Sequence, residues 1–144
     1  MGNVEIPFSQ TTKYLGVTLD HRLLWTQHVA EKVSKCKKLL NLLNYALKRN
    51  WGPSPKLSLS MYTGVIRPAL SYAASCWIHA VNTRKLLSQL NKIQRLGLLA
   101  VTQTAPSVPT AGLSVLYDVL PLHIYLKLLA VKTYNRLPEC FLLE

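Results

Sequence analysis

Val29, Val33, Cys36, Leu40, Leu43 and Leu47 recur at intervals of 4, 3, 4, 3 and 4 residues. Such spacing returns each side chain to one face of a helix with about 3.6 residues per turn. Thr26 is a favoured N-cap type, and Trp51-Gly52-Pro53 stops the pattern. The sequence therefore predicts an amphipathic helix from Thr26 to Arg49, ~36 Å long if continuous. A seam this narrow has to be covered by other apolar surface. The chain supplies it, since 49% of its 144 residues are hydrophobic. That length suits a single globular unit burying roughly two thirds of its unfolded surface.

Further helices follow. Ser54-Pro55 is a favoured helix start, with Ser as N-cap and Pro at the first helical position. Leu57, Met61, Val65 and Ile66 continue it as the expected apolar face. Pro68 falls inside this pattern and predicts a kink, with helix resuming to about Trp77. Thr83 is the expected cap of a third long helix, with Leu86, Leu90, Ile93, Leu96 and Ala100 as core face and Lys85, Lys92 and Arg95 outside it. Thr104–Pro109 reads as a loop, Thr110–Val119 as a short helix capped by Thr110, and Leu122–Arg136 as a last amphipathic helix after Leu120-Pro121. Before all of these, Val4–Phe8 and Thr11–Leu19 favour strand, with Ser9-Gln10 as the connection of a hairpin and Gly16 marking a bulge or a close approach of backbone. The expected fold is mainly α: a bundle of about five helices with an N-terminal β-hairpin.

Charge narrows the function. Only 16% of residues are charged, and 17 Lys+Arg oppose 6 Asp+Glu for a net +11. The six acids, Glu5, Asp20, Glu31, Asp118, Glu139 and Glu144, form no sequence cluster of the kind that two-metal phosphoryl transfer requires. No catalytic residue, metal site or cofactor is expected. Cys36, Cys76 and Cys140 are too far apart for a disulfide framework, which makes a reducing compartment the default. Cys76 and His79 have half the spacing of a zinc site, read here as a buried thiol beside a surface histidine. No secretory signal opens the chain, and Ile6 stands where a myristoylation site needs Ser or Thr. The uncharged run Leu96–Tyr117 is too polar to span a membrane. The expected location is intracellular, nucleus or cytoplasm.

Lys32, Lys35, Lys37 and Lys38 lie within seven residues of the first helix, with Arg49 and Trp51 at its far end. Cations at intervals beside an aromatic ring can track phosphates and stack a base. The residues themselves leave three readings open: a nucleic-acid face, a merely solvated basic face, or an anionic membrane surface.

A specific resemblance then adds to this. Lys13-Tyr14-Leu15-Gly16-Val17-Thr18-Leu19-Asp20, followed by Leu24-Trp25 and His28, resembles the end of the reverse transcriptase region of non-LTR retrotransposons of the jockey and LINE-like type. Later pieces agree in order: Asn50-Trp51-Gly52, Tyr62 with Arg67-Pro68, Tyr72 and Trp77, Asn91 with Gln94-Arg95, Pro109-Thr110 and Leu120-Pro121-Leu122. One departure is visible: the family usually carries Gly after the tyrosine, and here Ala73 follows Tyr72.

The resemblance implies a hairpin at 1–25 like the primer grip that closes the palm, with Tyr14, Leu15 and Gly16 as its motif. It implies a thumb-like bundle over 26–104 and linker-like helices over 105–144. The chain would begin after the paired catalytic aspartates, because no Phe/Tyr-Ala-Asp-Asp motif occurs in it, so it would be catalytically inert alone. Its partners would be a template–primer duplex or RNA–DNA hybrid, held non-specifically, and the palm of a parent polymerase. Tyr14 and Leu15 could equally be core residues of the hairpin. The alternative function is a helical interaction module or structural relic whose Val29–Leu47 seam serves helix pairing within the chain or by self-association.

Overall fold

A computed structural model describes residues 9–48 and 53–141, with side chains at 9–45 and 53–136. The element order is β1 (Thr11–Tyr14), β2 (Val17–Asp20), α1 (Thr26–Lys48), α2 (Pro55–Met61), a π-helical turn (Tyr62–Ile66), α3 (Arg67–Ser71), α4 (Ala74–Trp77), a 3-10 turn (Ile78–Asn82), α5 (Arg84–Thr102), α6 (Thr110–Leu116) and α7 (Leu122–Phe141). The fold is mainly α with an N-terminal hairpin, as expected.

The hairpin is not the one the sequence suggested. β1 and β2 both come from the stretch read as one strand, paired antiparallel with Lys13 opposite Thr18 and Tyr14 opposite Val17. Its turn is Leu15-Gly16, at φ 47° and 76°. Both values are left-handed, as a tight hairpin turn matching the twist of its strands demands. Gly16 is therefore a turn residue and not a bulge. Val4–Phe8 lies outside the described residues.

α1 begins where the pattern placed it, but Thr26 is its first helical residue and not its cap. The approach to the helix is fixed by Asp20, whose carboxylate accepts from the amides of the two residues just before it, Leu24 N and Trp25 N, both at 3.0 Å. Burial raises the pKa of this carboxyl, and the hydrogen bonds from the backbone outweigh that and leave it below its ordinary value. Val29, Val33, Cys36 and Leu40 are buried as the seam predicts. They pack principally against α5, so the seam pairs helices within the chain.

α2 starts as expected, with Ser54 Oγ accepting from Leu57 N at 3.4 Å. Its buried face differs from the predicted one. Ile66 is buried as expected, but Ser58 and Tyr62 point inward with it, while Leu57, Met61 and Val65 are exposed. The irregularity forced near Pro68 appears one turn earlier, as the π-helical turn. A left-handed Ala73 at φ 54° then separates α3 from α4.

On α5, Leu86, Leu90, Ile93, Leu98, Ala100 and Val101 are buried and Leu96 is exposed, against expectation. Gly97 is where α5 meets the π-helical turn: a methyl group there would collide with the buried Tyr62 ring. Thr83 makes no side-chain cap, and Thr110 is the first residue of α6 and not its cap. Arg95 does not stand free outside the helix. Its guanidinium donates to Pro106 O, Val108 O and Thr110 Oγ1, and so ties down the α5–α6 loop.

Trp77, wholly buried, centres a core to which α1, the α2–α4 run, α5 and α7 all contribute. Arg67 is also buried. It lies over the rings of Tyr62 and Tyr125 and donates to Leu120 O, which clamps the start of α7 onto α3. Such a guanidinium is tolerated because aromatic faces and a carbonyl replace its water. Cys36 is the buried thiol and Cys76 is exposed, which reverses the reading of Cys76 as a buried thiol beside a surface histidine.

Candidate nucleic-acid interface

The hairpin and α1 form one surface because β2 is fastened along the first turns of the helix. Thr18 N donates to His28 Nδ1 at 3.1 Å, and Thr18 Oγ1 donates to Glu31 Oε2 at 3.0 Å. Gln27 Nε2 donates to the other oxygen of Glu31 at 3.3 Å. His28 is 1% exposed and lies between the rings of Trp25 and Trp77, each centroid 6.3 Å away. Its Nδ1 accepts, so the neutral tautomer carries its proton on Nε2. Burial, chiefly, keeps its pKa below the usual value. The positive charge of Lys32 adds to that, Glu31 opposes it, and Lys13 contributes in the same direction as Lys32.

The tip of the hairpin is fixed by a residue far along the chain. Tyr72 Oη donates to Leu15 O at 2.7 Å, and its ring passes beside Gly16, where an added Cβ would stand 3.7 Å from Tyr72 Cε1. Lys32 Nζ lies 4.4 Å from the centroid of that same ring. Tyr72 is itself held, since Trp77 Nε1 donates to its carbonyl at 3.1 Å. Hairpin tip, lysine and aromatic ring therefore meet at one point. Lys32 is half-buried there, and burial first, then the neighbouring charges of Lys35 and Lys13, lower its pKa.

The other predicted lysines spread from this point. Lys35, Lys37 and Lys38 are exposed. Steps of three residues turn about 300°, so Lys32, Lys35 and Lys38 fan progressively away from the apolar seam, and Lys37 falls on the seam's opposite flank. Arg49 and Trp51 lie outside the described residues. Tyr14 and Leu15 are 65% and 72% exposed, so they present their side chains to solvent and are not core residues of the hairpin.

Two members of this surface were missed as site residues. Lys13 is exposed on β1 and close enough to influence both His28 and Lys32. Tyr72 was visible only as one of the ordered motif positions. Ala73, the departure from the resembled family's glycine, occupies the left-handed conformation immediately beyond it, which is where glycine is the least strained residue.

Among the described residues no three His, Cys, Asp or Glu side chains gather as a metal would require. No helix among them is long and apolar enough to cross a membrane.

Comparison with known proteins finds relatives along most of the chain. The chain is 28% identical over 127 residues to the putative 115 kDa protein in the type-1 retrotransposable element R1DM of Drosophila melanogaster, covering 88% of this chain and 12% of that protein. It is 29% identical over 140 residues to the retrovirus-related Pol polyprotein from type-1 retrotransposable element R1 4 of Nasonia vitripennis, covering 96% of this chain and 35% of the relative. A Pol polyprotein from element R1 of Bradysia coprophila is 26% identical over 121 residues, 84% of this chain and 12% of that protein. The chain thus spans between about an eighth and a third of the length of these relatives. The resemblance read from the ordered motifs is supported along most of the sequence: the chain is related to a region of retrotransposon Pol polyproteins. No family model and no solved structure matches it.

Proposed function

Proceeding from that relationship, we propose that the chain is the part of a non-LTR retrotransposon reverse transcriptase that follows the palm. In this reading residues 1–25 are the primer-grip hairpin, 26–104 the thumb and 105–144 the linker beyond it. The chain alone performs no catalysis. It holds a template–primer duplex or RNA–DNA hybrid non-specifically, inside the cell, through Lys32, Lys35, Lys37 and Lys38. Arg49 and Trp51 are proposed as further contacts from the sequence alone. Tyr14, Leu15 and Gly16 approach the primer strand.

The observation that carries this reading is the meeting of the hairpin tip with Lys32 on the Tyr72 ring. A primer grip and a thumb can follow one duplex only if their spacing is held constant. Tyr72 supplies a rigid link between them, since an aromatic side chain has few rotamers to lose. Lys32 and Lys35 then lie on the flank of α1 that faces the hairpin with its exposed Tyr14 and Leu15, and Lys37 stands on the other flank. Binding of this kind is mainly electrostatic, so it weakens steeply with salt.

An electrophoretic shift of a primer–template duplex across a salt series tests it. Retarded duplex at low salt is expected, with the shift disappearing as salt rises. Absence of binding at low salt, or primer extension by the pure chain, would overturn the corresponding part of the proposal. Sedimentation with and without duplex separates this reading from self-association, because oligomers indifferent to nucleic acid would favour an interaction module.

A further inference from the structure

On another part of the molecule, α5 and the α6–α7 junction enclose an open groove of about 1060 Å³. Leu87, Val115, Val119, Leu120 and Pro121 supply its apolar lining. Val115 is 83% exposed and Leu120 46%. Aliphatic side chains left this open inside a concavity mark a surface shaped for a partner. The rim has one dominant sign. Arg84 and Lys92 are exposed along α5, Arg95 stands at the loop end, and Asp118 is the lone carboxylate of the lining. We propose that this groove docks an amphipathic helix of a partner protein, its apolar face inward and its acidic flank against Arg84 and Lys92.

Dimensions and charge select that occupant. From Arg84 to Arg95 the groove follows α5 for about 16 Å, which is about three turns of a docked helix. Anchors at i, i+3, i+4 and i+7 would reach the apolar floor over that length. A second copy of the chain is disfavoured, because each carries a net +11. A nucleic-acid strand fits less well, because the lining contains no Phe, Tyr or Trp on which bases stack. No groove residue belongs to α1 or the hairpin, so the inference goes beyond the nucleic-acid reading and stands or falls separately from it.

The test is fluorescence anisotropy of the full chain with two labelled peptides of about four turns. Both carry the same Leu face, one flanked by Glu and the other by Lys. The Glu peptide is expected to bind about tenfold more tightly than the Lys peptide. Val115→Asp should weaken it by about tenfold, and Arg84→Glu with Lys92→Glu by a similar factor. All these sites are exposed, so circular dichroism should report an intact fold. Lys32→Ala with Lys35→Ala should leave peptide binding within about twofold, which separates this groove from the α1 face. Equal affinity for the two peptides would overturn the proposal, as would indifference to Val115→Asp in a folded variant. Displacement of the Glu peptide by a single-stranded oligonucleotide, lost on Val115→Asp, would also overturn it and assign the groove to nucleic acid.

Discussion

Tyr72 and Leu15 stand 57 residues apart in the chain, yet the tyrosine hydroxyl donates to the leucine carbonyl at 2.7 Å. A two-stranded hairpin is marginal by itself. This one gains its position from β2 lying on α1 and from Tyr72 at its tip.

Replacing Tyr72 by Phe removes the hydrogen bond and leaves the ring under Lys32. The acceptor is at the surface and regains water, so the loss should be about 1 kcal/mol or less, and local. Amide exchange should accelerate at 11–20 while the α5 amides stay protected. Equal acceleration throughout the chain would show that Tyr72 supports the whole fold and not the hairpin in particular.

Ala73→Gly should stabilise the protein. A left-handed conformation costs an L-residue about 1–2 kcal/mol, and the extra freedom glycine brings to the unfolded chain returns part of that. The expected net gain is about 0.5–1 kcal/mol in urea unfolding. A loss of stability would mean that the Ala73 methyl group contributes packing greater than the strain it carries.

Gly97→Ala should do the opposite. The added methyl group meets the Tyr62 ring, which is fully buried. Overpacking of this sort costs about 1–3 kcal/mol. Combining it with Tyr62→Leu should cost less than the sum of the two single changes, because the smaller side chain makes space for the methyl group. Strict additivity in denaturation experiments would place the strain elsewhere.

His28 predicts a pH dependence. Its folded pKa is held below 6.5, mainly by burial and next by Lys32, so the unfolded chain takes up a proton before the folded one does. This contribution is complete above about pH 6.5 and declines as pH falls below it. Asn at position 28 keeps an acceptor for Thr18 N without the titration. The urea midpoint of the parent should fall between about pH 6.5 and 5.5, and that of His28→Asn should change less. Identical profiles would remove His28 as the cause.

The lysines of α1 should not be equivalent toward duplex. Each phosphate contact contributes about 0.9 to the slope of log affinity against log salt. Lys35→Ala should reduce that slope by about one. Lys37→Ala should reduce it less, because Lys37 is on the far flank of the seam from the hairpin tip. Matching reductions would mean that the duplex lies across α1 and not along the flank shared with Lys13 and Tyr72.

Local chemistry determined a good deal of this fold. The 4-3-4-3-4 seam located α1 and its buried Val29, Val33, Cys36 and Leu40, and Ser54-Pro55 located the start of α2. Both signals rest on interactions within a few residues, which the sequence states directly. The lysine row and the ordered retrotransposon motifs were legible for the same reason.

Only the tertiary structure decided what depends on a distant partner. Residues 55–66 have two apolar faces, and Ser58, Tyr62 and Ile66 went inward because Gly97 lets the Tyr62 ring approach α5. The turn at Leu15-Gly16 was chosen because β2 had Thr18 to hang on His28 and Glu31, and because Tyr72 could hold the Leu15 carbonyl. Periodicity reports that a helix or strand has an apolar side. Which side is buried, and which lysine comes to lie against which ring, depends on surfaces that only folding brings together.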